Sequence, residues 1–277
     1  MLRIVGGSEK SPPPQPYAIV IPARFGSTRF PGKPLVALRG VNGVAKSLIE
    51  RSWEAACGAA TADHVWIATD EPRIADAARR FGAQVVLTST DCRNGTERCW
   101  DALAEAGIDA DVIINLQGDA PLTPPLAIEA LLNTMLETPG VRVATPMTRC
   151  STMMADRLAV DDRAGRAGGT TVVFDGGMNA LYFSRRVIPY APERMVQPPV
   201  YLHIGLYGYR RDALESYAGL SPSPLEEAEG LEQLRFLHAG IPIRMIEVGD
   251  PPGGIWEVNH PRDIVSVEAA LAERRIV

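Results

Sequence analysis

Short apolar runs of buried-strand length alternate with amphipathic segments, and this alternation limits the possible folds more than any other feature of the chain. The runs fall at 17–23 (YAIVIPA), 64–70 (HVWIATD), 83–89 (AQVVLTS), 111–117 (DVIINLQ) and 141–147 (VRVATPM). Helical patterns lie between them at 44–56, 73–81, 97–106 and 125–137. β-branched runs separated by helices of this length make βαβ units, which predicts an α/β fold whose mostly parallel sheet is covered on both faces. Residues 150–210 break the rhythm. There TTVVF and MNALYF flank Asp175-Gly176-Gly177, which predicts a hairpin, and the Pro-rich stretch 189–199 reads as a loop. A helix is expected over 223–240, with Ser223 as N-cap, Pro224 at its first position and Glu226 closing a capping box. A strand at 241–248 and a helix at 261–275 follow.

The chain has 277 residues, more than the ~150 usual for one domain, but α/β domains often run to ~250 as a single unit. The expected organisation is therefore a flexible, proline-ending extension over 1–16 and one domain over 17–277, elaborated at 150–210. A net charge of −5 and a pI near 5.5 argue against a general nucleic-acid surface. No apolar run approaches the ~18 residues needed to span a bilayer, and the N-terminal stretch has no continuous apolar core of a signal peptide. Cys57, Cys92, Cys99 and Cys150 show no CxxC spacing, so the expectation is a reduced, cytoplasmic protein without structural zinc.

Directly after the first apolar run comes Ile21-Pro22-Ala23-Arg24-Phe25-Gly26-Ser27-Thr28-Arg29-Phe30-Pro31-Gly32-Lys33-Pro34-Leu35. This acidic chain places two arginines, a lysine and two glycines there with no acid among them. In open α/β sheets ligands bind beyond the carboxyl ends of strands, and glycines let backbone N–H groups turn toward an anion. Arg24 offers a planar fork to phosphate oxygens and Lys33 a point charge on a longer reach. Neither the GxxxxGK[ST] nor the GxGxxG spacing is present, so the loop is not a Walker loop or a dinucleotide fingerprint. The alternative is a solvated basic loop. At the end of the fourth strand, Asn115-Leu116-Gln117-Gly118-Asp119-Ala120-Pro121 offers a second element. Asp119 either reaches phosphate through Mg²⁺ or only closes a turn on its own backbone.

These motifs, with NGTERCWDAL, ALYFSRRVIPY, HIGLYGYRR and SPLEEAEGLEQLRFL, resemble in order those of the 3-deoxy-manno-octulosonate (Kdo) cytidylyltransferases, over roughly residues 17–275. The resemblance implies a three-layer, Rossmann-like nucleotidyltransferase fold, a homodimer, and Mg²⁺-dependent transfer of CMP from CTP to a small anionic acceptor. It implies a nucleotide site of Pro22, Ala23, Arg24, Gly26, Ser27, Lys33, Gly95, Thr96, Arg98 and Gln117. Arg24, Lys33 and Asp119 are the implied catalytic groups, and Arg93, Asn94, His203, Glu229 and Gln233 the implied acceptor contacts. Asp119 and Asn259 are the implied metal ligands. His203 also reads as a satisfied core histidine, Met153 and Met154 as core or lid packing, and Glu226, Glu227 and Glu229 mostly as solvated surface.

Departures from the family pattern stand beside the resemblance. Cys92, Arg93 and Asn94 occupy the family's His-Gln-Ser positions, Ala120 replaces a glutamate, and Asn259 stands where the family's second metal-binding aspartate lies, with Trp256 and Glu257 in place of small residues. Asn259 can cap the last helix, or offer Mg²⁺ a neutral oxygen as related pyrophosphorylases do. If Arg93, Ala120 and Asn259 all face the ligand, the pocket gains three units of positive charge. That favours a more anionic acceptor, so a phosphonate such as phosphonoformate is expected ahead of Kdo. A non-catalytic nucleotide-binding relative is the rival class.

Overall fold

The computed structural model describes residues 15–26, 30–166, 168–190, 199–249 and 257–277. Ser27, Trp256, residues 1–14 and most of the Pro-rich stretch lie outside these. The first strand, β1 (Gln15–Ala23), begins two residues before the expected boundary and is followed by a small hairpin of β2 (Ala37–Arg39) and β3 (Ala45–Ser47). Then come α1 (Leu48–Cys57), β4 (Val65–Thr69), α2 (Pro72–Arg80), β5 (Gln84–Leu87), α3 (Gly95–Ala106), β6 (Ala110–Leu116), α4 (Pro125–Glu137) and β7 (Val143–Arg149). The second half carries α5 (Thr152–Arg163), β8 (Thr171–Phe174), β9 (Ala180–Ser184), β10 (Tyr201–His203), β11 (Leu206–Arg210) and α6 (Arg211–Ala218). It closes with α7 (Pro224–Glu229), α8 (Leu234–His238), β12 (Ile243–Glu247) and α9 (Asp263–Glu273).

One sheet runs in the order β5-β4-β1-β6-β11-β7-β10-β8-β9, with β12 parallel beside β7. β5, β4, β1 and β6 pair in parallel, and β7 and β12 share their direction across the reversed β11. The period-2 pattern of β1 explains the layers. Ala18 and Val20 enter one core with Trp66, Cys99, Leu103, Leu214 and Phe236, while Ile19 and Ile21 enter the other with Ile49, Ile74, Ile114 and Leu131. Each leucine, isoleucine, valine or phenylalanine among them, withdrawn from water, contributes about 1.5–3 kcal/mol. A satellite cluster of Leu38, Leu48, Leu122, Val258, Val267 and Leu271 fastens the small hairpin and α9 to the rim.

The structure departs from the sequence expectations at several places. The helix expected over 44–56 starts only at Leu48, because Ala45–Ser47 pair with β2 and the Ser47 side chain then accepts the Glu50 N–H at 3.3 Å as N-cap. A helix, α5, occupies part of the region read as irregular, capped by Ser151, whose side chain accepts the Met154 N–H. The helix expected over 223–240 is two helices. The capping box of Ser223 and Glu226 is present, but Gly230 adopts φ 63°, ψ 38° and ends α7. A left-handed backbone of this kind costs an L side chain about 1 kcal/mol or more, so glycine is the residue for that break. Asn259 does not cap α9. Asp263 instead accepts the Asn259 and His260 N–H groups at 2.8 and 2.7 Å.

The broken helix is held by buried charge rather than by solvent. Arg235, 2% exposed, pairs with Glu226 at 2.6 Å and Glu97 at 2.9 Å and stacks its guanidinium over Tyr217. Glu226 is thus a structural partner and not solvated surface. Arg235→Leu leaves the largely buried Glu226 carboxylate without its cation, while Glu97 keeps Arg93, so a loss of about 3–5 kcal/mol is expected. Urea unfolding of the variant against the parent measures it.

Candidate active site

The close approach of β1 and β6 shapes the site. A Cβ on Gly118 would lie 2.7 Å from the Pro22 carbonyl oxygen, so only a glycine lets the turn after β6 run against the end of β1. That contact brings Asp119 beside the basic loop. Gly32 N–H closes the loop on the Phe25 carbonyl at 3.1 Å, the 3₁₀ turn Lys33–Leu35 follows, and Lys33 Nζ reaches Asp119 Oδ2 at 2.6 Å.

A cavity of about 780 Å³ opens here, walled by the strand ends, the start of α3, α5, the β10–β11 junction, the α7–α8 turn and the segment before α9. Its size is within the range for small-molecule sites. A more open cleft of about 560 Å³ between α1 and α2, lined by Glu50, Arg73, Asp76 and Arg80, carries none of the expected site residues.

Most of the sequence-predicted residues meet at the larger cavity. Pro22, Ala23, exposed Arg24, Lys33, Gly95, Arg98, Gln117 and Asp119 line one side. Arg98 is 2% exposed and paired with Asp70 at 3.0 Å, so its charge is already committed to the ends of β4 and β5. Thr96 is not on the wall: it is wholly buried, its hydroxyl bonded to Tyr209 at 2.9 Å. Gly26 is exposed beside the loop and outside the lining, and Ser27 lies outside the described residues.

On the other side, His203, Gln233, Arg93 and Asn94 line the cavity. His203 is both wall and core. Its Nε2 bonds the Thr145 hydroxyl at 2.9 Å, and burial pushes its pKa down to about 3, so the ring stays neutral. Asn94 works chiefly as the α3 N-cap, accepting the Glu97 N–H at 2.9 Å while donating to Tyr217. Gln233, 1% exposed, accepts from the Tyr207 hydroxyl at 3.1 Å, and its Nε2 has no partner among the described residues. A buried donor left unsatisfied on a cavity wall is matched by a ligand acceptor. Glu229 is elsewhere: it accepts from Ser184 Oγ at 2.8 Å and from Arg185 N–H at 2.9 Å, tying α7 to β9.

Several wall residues carried too little local signal to be found from sequence. Arg157 and Asp161 face the cavity from the unexpected α5, at i,i+4 spacing. That helix also places Met154 on the wall and leaves Met153 81% exposed, so Met153 is not core packing. Glu232 and Glu257 are acidic lining groups. Glu232 accepts the Thr96 N–H at 3.1 Å and Gln117 Nε2 at 3.4 Å, and burial raises its pKa.

The expected gain of three positive charges does not develop. Arg93 spends its charge on Glu97 at 2.7 Å, Ala120 is 4% exposed and off the wall, and Glu257 returns a carboxylate beside Asn259, with Oε2 3.3 Å from Asn259 Nδ2. Glu232 and Glu257 are acceptors on the wall that suit hydroxyl donors of a ligand, which a small phosphonate lacks, while Asp161 is already paired with Arg166 at 2.7 Å. The geometry therefore removes the basis for preferring a phosphonate.

Comparison with known proteins agrees with this geometry. A family model described as cytidylyltransferase matches residues 18–245. A 3-deoxy-manno-octulosonate cytidylyltransferase of Maricaulis maris (strain MCS10) is 47% identical over 253 residues, 91% of this chain and 96% of its own. An 8-amino-3,8-dideoxy-manno-octulosonate cytidylyltransferase of Shewanella halifaxensis (strain HAW-EB4) is 40% identical over 256 residues, 92% and 98% of the two chains. Among solved structures, a CMP:2-keto-3-deoxy-manno-octonic acid synthetase complexed with CTP superposes with a TM-score of 0.80 at 38% identity, covering 94% of this chain and 100% of that one. The chain belongs to the Kdo cytidylyltransferase family of nucleotidyltransferases.

Proposed function

We propose that the protein transfers a cytidylyl group from CTP to a sugar acid of the 3-deoxy-octulosonate class and releases pyrophosphate. One observation carries the reading. A single cavity joins a cationic, phosphate-matching end (Arg24, Lys33) to a buried end whose acceptors and donors (Glu232, Gln233, Tyr207) match a polyhydroxylated acid. The sugar hydroxyl oxygen attacks the α-phosphorus in line with departing pyrophosphate; the α-phosphorus–oxygen bond breaks and the hydroxyl proton leaves to solvent. Catalysis of this kind is positioning and charge neutralisation, so the lack of a nucleophilic triad is no obstacle. Arg24 and Lys33 hold phosphate oxygens, and Gln233 Nε2 holds an acceptor oxygen. The relatives named for Kdo and its 8-amino analogue support the sugar acid over the phosphonate.

Mg²⁺ fits the residues present. Asp119 and Asn259 both line the cavity and offer hard oxygen donors, and the Asn259 NH₂ is turned to Glu257, which leaves its carbonyl oxygen on the other side. Among the described residues no three of His, Cys, Asp and Glu cluster to hold a metal alone. That suits Mg²⁺, which takes one or two carboxylates and completes its shell with phosphate oxygens and water. When bound, the ion would neutralise charge on the phosphates. A homodimer is part of the same reading: the outermost strand β9 exposes 62% of Leu181, and edge strands with apolar side chains favour a partner. No helix among the described residues is long and apolar enough to cross a membrane.

Two outcomes are expected. Lys33→Ala and Arg24→Ala should each lower kcat/KM for CTP by about 100-fold or more, as loss of a charge-stabilising donor does. Unfolding free energy should change by about 1 kcal/mol at most for the exposed Arg24. Pyrophosphate-release kinetics and chemical denaturation check both, and near-normal turnover in the variants would remove this loop from the nucleotide site. In a panel of CTP, UTP, ATP and GTP against Kdo, 8-amino-Kdo and phosphonoformate, CTP with a 3-deoxy-octulosonate should give the highest kcat/KM. A higher value for phosphonoformate overturns the acceptor assignment.

A further inference from the structure

Asp119 is neutralised by Lys33 at 2.6 Å, so a divalent cation at this site meets little net negative charge from that pair. The segment leading into α9 supplies what is missing. Val258 N–H donates to the Asp119 carbonyl at 3.0 Å, and the Val258 side chain is wholly buried among Leu122, Val267 and Leu271. Its neighbours Glu257 and Asn259 are half-buried and both line the cavity, as alternate side chains of an extended segment must when the one between them points into a core. The backbone of Asp119 is therefore flanked by a carboxylate and an amide.

The two are not equivalent. Asn259 Nδ2 is directed at Glu257 Oε2, 3.3 Å away. The other carboxylate oxygen reaches across to the β10–β11 junction. A Cβ built on Gly205 would stand 3.3 Å from Glu257 Oε1 and 3.7 Å from Gln117 Cγ, which sets that carboxylate beside the residue two before Asp119. Gly205 leaves the space that the carboxylate uses.

We propose that Glu257 supplies the second carboxylate to the divalent cation bound at Asp119, and that Asn259 orients Glu257 through its amide N–H rather than carrying the charge itself. This rests on the nucleotidyltransferase reading given above. A hard cation takes a carboxylate in preference to a neutral amide, and a hydrogen bond from a neighbouring donor fixes the ligand's rotamer. Moving the charge from position 259 to 257 keeps it on the same face of the same extended segment.

Titration of the full-length protein with Mn²⁺ in the presence of CTP, read by water-proton relaxation and by electron paramagnetic resonance, tests the assignment without any acceptor. Glu257→Gln should weaken Mn²⁺ binding by about tenfold or more, and Asn259→Ala by less, as expected for a residue that orients a ligand. Adding Asn259→Asp to Glu257→Gln should restore the affinity, because it returns a carboxylate to the same face. Thermal melting without metal checks folding. If Glu257→Gln is poorly folded, Glu257→Asp, which keeps the charge on a shorter arm, should bind Mn²⁺ with intermediate affinity. Unchanged Mn²⁺ affinity in Glu257→Gln, or no recovery in the double variant, overturns the proposal. No Mn²⁺ signal in the parent overturns both it and the metal reading. A Glu257-dependent signal without turnover on any acceptor supports it and overturns only the proposed function.

Discussion

Parallel pairing of β1 with β6 is the constraint on which the rest of the molecule depends. With Ile19 opposite Ile114 and Val20 opposite Asn115, β1 runs two residues past the end of β6, so the turn after β6 lies against the last residues of β1. Gly118 admits that contact by having no side chain to set against the Pro22 carbonyl. The Lys33–Asp119 pair, the closed basic loop and the Val258 clasp on the Asp119 backbone all follow from it. The cores on the two faces of the sheet hold that register, because a slip of one residue would exchange Ala18 and Val20 with Ile19 and Ile21 between faces.

The opposite wall has a different physical basis. It is assembled from short pieces, α5, the β10–β11 junction and the α7–α8 turn, and is fastened by polar contacts within low-dielectric surroundings. Arg235, Glu97 and Glu226 lock the broken helix to α3, and Glu229 ties α7 to the hydroxyl of Ser184. Such networks define a geometry sharply when every member is satisfied. The one buried side-chain group on this wall without a partner among the described residues, Gln233 Nε2, lies where a ligand can complete it.

Much of this architecture was legible in the sequence because its signals are local. The buried runs and amphipathic segments located β1, β4, β5, β6, β7 and α2 to α4 closely, and Arg24, Lys33 and Asp119, singled out from the sequence, meet at one end of the cavity. What was missed depends on tertiary partners. Ala45–Ser47 carries a helix-compatible pattern but pairs with Ala37–Arg39. The segment around Leu234 reads as continuous with α7 until the backbone of Gly230 turns left-handed. Residue-by-residue transfer of roles failed where a side chain faces inward: Thr96 bonds Tyr209, and Glu229 bonds β9. Counting charges at Arg93, Ala120 and Asn259 misled for a different reason, because it took each position without its neighbour in sequence. Glu97, four residues after Arg93, and Glu257, two before Asn259, cancel the count.

The contact between Lys33 and Asp119 has a consequence for the order of events in the site. Ammonium and carboxylate serve as each other's counterion at 2.6 Å, with 13% and 27% of their side chains exposed. A lone dication must compete with Lys33 for Asp119, and a lone triphosphate must draw Lys33 away from it. Arriving together, the two exchange one ion pair for two: ammonium with phosphate, carboxylate with dication. On the proposed reading, nucleotide and dication would strengthen each other's binding by the same factor, since linkage between two ligands is reciprocal. On that reading, a salt bridge that looks like simple stabilisation would act as a latch that discriminates against half-filled states.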